Sequence, residues 1–361
     1  MRYYVASNGT GNASSWGSMG DLIATVNHVL NNPSRGGDEI WALQGTYNLA
    51  GNPLVINNNT EPLSIYGGFA GWENTLCDRN ANIDSLQYPT FFQNPSILDG
   101  GGMNRVIEMQ QANVCLIDGF VIRNGAATGA PGGSVYAVGS NIWFEKLVIM
   151  DNITDNDGGG MFTQVFNLMV KNAIFFNNTA ANNGGGLYVG DAKNVILVNL
   201  LFNGNLTAGG NGDAIYVGGN DGLKIINNTI TGNTGGSSSV YCYYASNVSI
   251  YNSILYPDTL AAAGSANLAV DYCLLSNPIP FANPANPNGI NPLPPPAPPV
   301  DPLFVNPAAR NYHLRPISQC IDSGNTEYTF PFSITDLEGK PRFISNTGVA
   351  LEVDMGAFEV Q

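Results

Sequence analysis

The sequence predicts an all-β fold, a parallel β-helix (solenoid) with an N-terminal capping helix and an irregular C-terminal cap. Three observations carry that prediction. One motif returns six times between Asn113 and Asp258: an Asn or Gly opens it, an apolar run follows, and eleven residues on comes Asn or Asp. The openers are Asn113, Asn141, Asn167, Asn194, Gly222 and Asn247, spaced 28, 26, 27, 28 and 25 residues apart; the closers are Asn124, Asn152, Asn178, Asn205, Asn233 and Asp258. A second signature keeps the same period, small residues before an aliphatic and an aromatic, as in Gly159-Gly160-Met161-Phe162 and Gly185-Gly186-Leu187-Tyr188. Finally, the apolar pieces are three to five residues long and broken by Gly, Asn and Asp, and no window holds the 3.6-residue stripe of a helical repeat.

A unit of about 26 residues with three short strands and three bends completes one rung, and the next rung pairs with it in parallel about 4.8 Å further on. Equivalent residues then stack. Asn suits the bends because it tolerates left-handed backbone and its amide both donates and accepts along a stack; the chain has 47 of them. The aromatics Tyr136, Phe162, Tyr188, Tyr216 and Tyr241 form one such row. Their aliphatic neighbours alternate with them and point inward, so the rings are expected outside, where they are the candidate surface for sugar or protein.

In chain order, residues 1–36 read as a strand (Tyr3-Tyr4-Val5), a glycine loop with Ser14-Ser15-Trp16, and one amphipathic helix from Asp21 to Leu30. That helix is the candidate cap for the open first rung, whose apolar end and unpaired strands need cover. Residues 37–277 form the coil, with clear repeats over 113–258 and a side loop from Gly71 to Pro95. Residues 278–300 are crowded with proline and suit an extended crossing rather than a central strand. Residues 301–361 form the C-terminal cap segment.

Net charge is −14 with only 11% charged residues. Thirteen Lys plus Arg without a basic run make nucleic acid an unsuitable partner, and no apolar run approaches a membrane span. The five cysteines, Cys77, Cys115, Cys242, Cys273 and Cys320, lack CxxC spacing and read as buried apolar side chains. Met1 runs straight into the strand-like Arg2-Tyr3-Tyr4-Val5 with no signal peptide, so export would require a leader not in this sequence.

Particular segments resemble a known group. Tyr3-Tyr4-Val5, Gly37-Asp38-Glu39-Ile40-Trp41 and Tyr66-Gly67-Gly68-Phe69-Ala70-Gly71-Trp72-Glu73 are similar to the start of secreted bacterial right-handed parallel β-helix proteins of the pectate-lyase-like superfamily. The Gly-Gly-Gly-Leu-Tyr type repeat resembles polymorphic outer-membrane-protein repeats. The tail, with Asp301-Pro302-Leu303-Phe304, Cys320-Ile321-Asp322-Ser323-Gly324 and Asp354-Met355-Gly356-Ala357-Phe358-Glu359, resembles a choice-of-anchor segment. The resemblance implies a right-handed coil, a secreted or cell-surface location on a bacterium, and relatives that cut acidic polysaccharides.

Catalysis on such a coil requires converged carboxylates, with Ca²⁺ and a basic residue in lyases or paired Asp in hydrolases. The densest acids are Asp151, Asp155 and Asp157, the only catalytic candidates; Asp155 and Asp157 are also the residues that would hold Ca²⁺, no other cofactor being implied. Glu108 and Asp118 are a further carboxylate pair, and His28 and His313 read as structural. The leading expectation is a non-catalytic structural or adhesive protein binding glycan, protein or its own copies. The alternative is a polysaccharide lyase or glycoside hydrolase acting on acidic polysaccharide.

Overall fold

The computed structural model describes residues 1–10, 19–80, 91–219, 221–264, 268–276, 301–330, 332–343 and 352–360. Ser14-Ser15-Trp16, the tip of the side loop and the proline-rich crossing at 278–300 lie outside the described residues.

Hydrophobic alternation builds the coil. Short Val/Ile/Leu runs pair in parallel with the run one rung on, and each strand column makes one flat face. Face A takes Leu54–Asn57, the starts of Ile107–Asp118, Val135–Met150 and Met161–Phe176, then Leu187–Gly190, Ile215–Gly218, Val240–Tyr243 and Leu260–Ala263. Face B runs from Arg2–Val5 through Asp38–Leu43 and Leu63–Phe69 to Leu268–Asp271. Face C runs from Gly45–Asn48 to Leu274–Leu275. A narrow fourth column, Ala126–Ala127, Ile153–Thr154, Thr179–Ala180 and Leu206–Thr207, lies between faces C and A. Among the described residues the only antiparallel strand pair is Phe304–Asn306 with Asn311–Leu314, in the C-terminal segment.

The inward positions are fully buried aliphatics and aromatics, for example Ile142, Phe144, Val195, Leu197, Phe175 and Phe202. Phe175 and Phe202 stack at 4.6 Å, so the core repeats as the backbone does. Helix α1 (Leu22–Asn31) starts on an Asp21 side chain that accepts from Ala24 N at 2.8 Å, and buries Leu22, Val26 and Val29 against the first rungs. It covers the open end as expected.

The expected asparagine rows exist, with two corrections. The closers Asn152, Asn178, Asn205 and Asn233 are buried and point inward. Each Nδ2 donates to the next rung's Oδ1, at 2.8, 2.9 and 2.8 Å, and the last donates to Asp258 at 3.2 Å. Their second amide hydrogens go to strand carbonyls: Asn178 to Ile149 O, Asn205 to Phe175 O, Asn233 to Phe202 O. Asn124 is not in this row. Gly125 holds its place and gives a backbone N–H to Asn152 Oδ1, while Asn124 turns out to Asp99. At the A–B bend Asn141, Asn167 and Asn194 form an exposed row at 2.9–3.0 Å, donating in the opposite sense, back toward Asn113. There Val114, not Asn113, takes the left-handed angle, because an extra residue, Gln111 (φ +52°), bulges ahead of it.

A third row lies outside the opener–closer motif. At the B–C corner Asn172, Asn199, Asn227 and Asn252 all have φ near +50°. The C-terminal segment is built onto it. Arg342, fully buried, donates to Asn199 Oδ1, Gly356 O and Glu359 Oε2 at 2.9–3.2 Å. Asn252 Nδ2 donates to Asn325 O, and Ala357 N donates to Thr229 Oγ1. Phe304, Tyr312, Leu314, Leu337 and Met355 then pack over the outer side chains of face C, Val148, Ile174, Leu201 and Ile254. The irregular C-terminal segment therefore covers the outer side of face C over the rungs from Val148 to Ile254.

Candidate functional site on face A

The aromatic row forms as the alternation requires. Inward neighbours Met161, Leu187, Val189, Ile215 and Val217 are fully buried, so Tyr136, Phe162, Tyr188, Tyr216 and Tyr241 stand on the outer side of face A. Their centroids are 5.5, 4.8, 4.8 and 5.7 Å apart with planes within 21° of parallel. Two glycines make room: a Cβ at Gly190 would lie 2.7 Å from Tyr188 Cε1, and one at Gly218 2.9 Å from Tyr216 Cε1. The Tyr188 and Tyr216 rings thus lean along their own strands, each over a glycine two residues on. The motif glycines before the row have another role. A Cβ at Gly159 or Gly185 would meet a carbonyl oxygen of the next rung at 2.4 Å, so only glycine passes there.

Stacking decides what the row offers. Ring faces are occupied by neighbouring rings, and Arg105 covers the free face of Tyr136 at 4.9 Å while pairing with Glu108 at 3.1 Å. Edges and hydroxyls are what remain for a ligand. Phe162 and Tyr216 are buried, whereas Tyr136, Tyr188 and Tyr241 are half-exposed. Burial pushes the Tyr188 and Tyr216 phenols up to about 12, helped by Asp157 and Asp191 beside Tyr188 and by Tyr188, Tyr241 and Asp157 beside Tyr216. The phenols are therefore neutral hydrogen-bond donors at any physiological pH.

A polar row runs alongside. Asn183 donates its N and Nδ2 to Asp157 Oδ1 at 2.9 and 3.0 Å, Asn211 N donates to Asn183 Oδ1 at 3.0 Å, and the Ser237 hydroxyl donates to Asn211. On the other flank Gln164 donates to Asp191 at 3.3 Å.

The three acids that are dense in the sequence are not brought to one point. Asp151 sits at the corner after face C with φ +56° and accepts from Asn177. Asp155 reaches back one rung to Gly129 N at 2.7 Å, whereas Asp157 reaches forward to Asn183. Among the described residues no group of three or more His, Cys, Asp and Glu is placed to hold a metal ion. Glu108 and Asp118 are not a pair either: Glu108 is on face A with Arg105, and Asp118 is buried at the end of face B against Arg79 and near Lys146. His28 lies edge-on to Tyr3, and His313 bridges Asn311 and Glu338. Four cysteines are buried and Cys77 is exposed.

No family model and no curated protein sequence matches the chain. Solved structures that resemble it include a pectate lyase (16% identity over all of this chain and 96% of that one, TM-score 0.46). A rhamnogalacturonan lyase follows (14%, 76% of this chain and 68% of that one, TM-score 0.45). So does the pectin methylesterase of Aspergillus niger (13%, 74% and 82%, TM-score 0.40). These are likenesses of the coil, and they carry no residue roles over to this chain.

Proposed function

We propose that this chain is a non-catalytic, glycan-binding β-helix of a bacterial cell surface, with face A as its contact surface. The observation that carries the reading is the pair of in-register rows on face A, phenol hydroxyls from Tyr136, Tyr188, Tyr216 and Tyr241 beside the Asp157–Asn183–Asn211–Ser237 row. From Tyr188 to Tyr241 both repeat once per rung, the Phe162 rung lacking a hydroxyl, so they fit a ligand that itself repeats, and a sugar polymer supplies hydroxyls along its length. A secreted or surface location and self-association belong to the same reading. Among the described residues no helix is long and apolar enough to cross a membrane, which says nothing of β-barrels.

The test is retention of the protein on a panel of insoluble polysaccharides, wild type against Tyr188→Ala. Retention lost in the variant supports face A; equal retention of both refutes it. One observation favours an enzyme instead: Asp157 and Asp191 flank the row closely enough that both raise the Tyr188 phenol. Release of reducing or unsaturated sugars from a polyuronate panel, abolished by Asp157→Ala, would establish that hydrolase or lyase reading and sink ours.

A further inference from the structure

Face B is unlike the rest of this acidic molecule. Four of the chain's five lysines, Lys146, Lys171, Lys193 and Lys224, lie on it or at its edges, on four successive rungs. Its central outward row is Leu116, Trp143, Met169, Ile196 and Lys224, each paired with the next. Phe166 stands at the A-side edge directly above Lys193, and Lys171 stands at the C-side edge directly below Glu145.

Two features separate this surface from the face A row. Trp143 is 44% exposed and Phe166 49% exposed, and neither stacks on another ring among the described residues, so both offer open faces. The lysines differ in what they face. Lys146 pairs with Glu145 at 3.3 Å and with Asp118 at 3.5 Å; Lys193 has Asp221 nearby; Lys224 lies over Phe332 at 4.9 Å. Lys171 makes no ion pair among the described residues, since Glu145 turns to Lys146. Lys171 and Lys193 thus flank the apolar row on opposite sides of adjacent rungs, each one rung below an open aromatic ring.

We propose that face B is a binding surface for a linear anionic polysaccharide lying along the coil axis, with sugar rings on Trp143 and Phe166 and acid groups at Lys171 and Lys193. The C–H face of a sugar ring is electropositive and matches the negative face of an aromatic ring. Charge selects the anion: the whole chain carries a net −14, so most of the surface repels a polyanion, and four of its five lysines are gathered on this face, with Lys171 free of any ion pair among the described residues. The proposal rests on the glycan-binding reading but assigns a separate surface with its own ligand chemistry.

The experiment is a calorimetric titration of the full chain at low salt with a soluble polyuronate and with its fully methyl-esterified form, which has the same rings without the charges. Wild type should bind the polyuronate at least about tenfold more tightly than the ester. Lys171→Gln with Lys193→Gln should erase most of that difference, and Trp143→Ala should weaken both ligands. Trp143 and Lys171 are outside the core, and an unchanged circular-dichroism melt confirms that the variants fold. Equal affinity of wild type for both polymers, or full affinity in Trp143→Ala, overturns the proposal while leaving the face A reading to its own variant. Failure of wild type to bind any sugar polymer overturns both.

Discussion

Asn233 donates its Nδ2 to a carboxylate oxygen of Asp258 at 3.2 Å, so the buried row of amides ends on an acid. Burial pushes the Asp258 carboxyl up to about 6, against the bonds it accepts from Ser239 and Asn233. The folded state therefore holds this proton more tightly than the unfolded chain. Its stabilising contribution is complete below the ordinary value of 3.8 and is lost as pH rises through about 6. Asp258→Asn replaces the acid with an amide of the same shape and puts a donor near Ile230 O, the register equivalent of Phe202 O. Chemical denaturation should find the variant more stable by roughly 3 kcal/mol at pH 8 and indistinguishable at pH 3.5. Coincident curves at pH 8 would rule the account out.

Position within a row should matter more than residue type. Asn205→Ala removes the acceptor for Asn178 N and Nδ2 and the donor to Asn233 and Phe175, all fully buried, and should cost about 3–5 kcal/mol in a urea melt. Asn167→Ala breaks a water-exposed row and should cost about 1 kcal/mol or less. Similar losses at the two sites would contradict the burial argument.

The C-terminal segment depends on Arg342. Arg342→Met leaves Glu359, Asp336 and Asp354 buried without their cation and should destabilise the segment by about 3–5 kcal/mol. Limited proteolysis would read this as rapid cleavage within residues 301–360 while the coil stays resistant. Cleavage at the wild-type rate would show that the apolar packing on face C holds the segment unaided.

Gly218→Ala puts a methyl group where the Tyr216 ring now lies, 2.9 Å from Cε1. The ring must swing outward, breaking its stack with Tyr188 at 4.8 Å and Tyr241 at 5.7 Å. Near-ultraviolet circular dichroism should weaken while the far-ultraviolet spectrum is kept. An unchanged near-ultraviolet spectrum would mean the rings do not lean as described.

Much of the fold was legible because a parallel coil turns spatial neighbours into a period: Asn178 and Asn205 sit 27 residues apart and touch. The outward aromatics followed from alternation alone. Legibility failed where register departs from the period, as at Asn124, displaced from the row that Gly125 joins, and at the bulge on Gln111. The acids show the converse. Asp151, Asp155 and Asp157 are close in sequence, yet a left-handed corner and reversal of direction send their side chains to three different partners. The face B lysines were missed because their spacings of 25, 22 and 31 residues scatter around the repeat, and only the strand register gathers them.

The exposed and buried asparagine rows bond in opposite senses along the axis, yet within the coil the strands of each rung pair only with those of the rungs on either side. A length of chain from one buried Asn to the next is consequently an interchangeable part. Joining Asn178 directly to Leu206 would delete one such part and leave the strands of the flanking rungs compatible edges, with Asn172 brought to the corner position that Asn199 holds under Arg342. Gain or loss of whole units in the gene could thus set how far the protein reaches, while the chemistry of each face is rewritten one rung at a time.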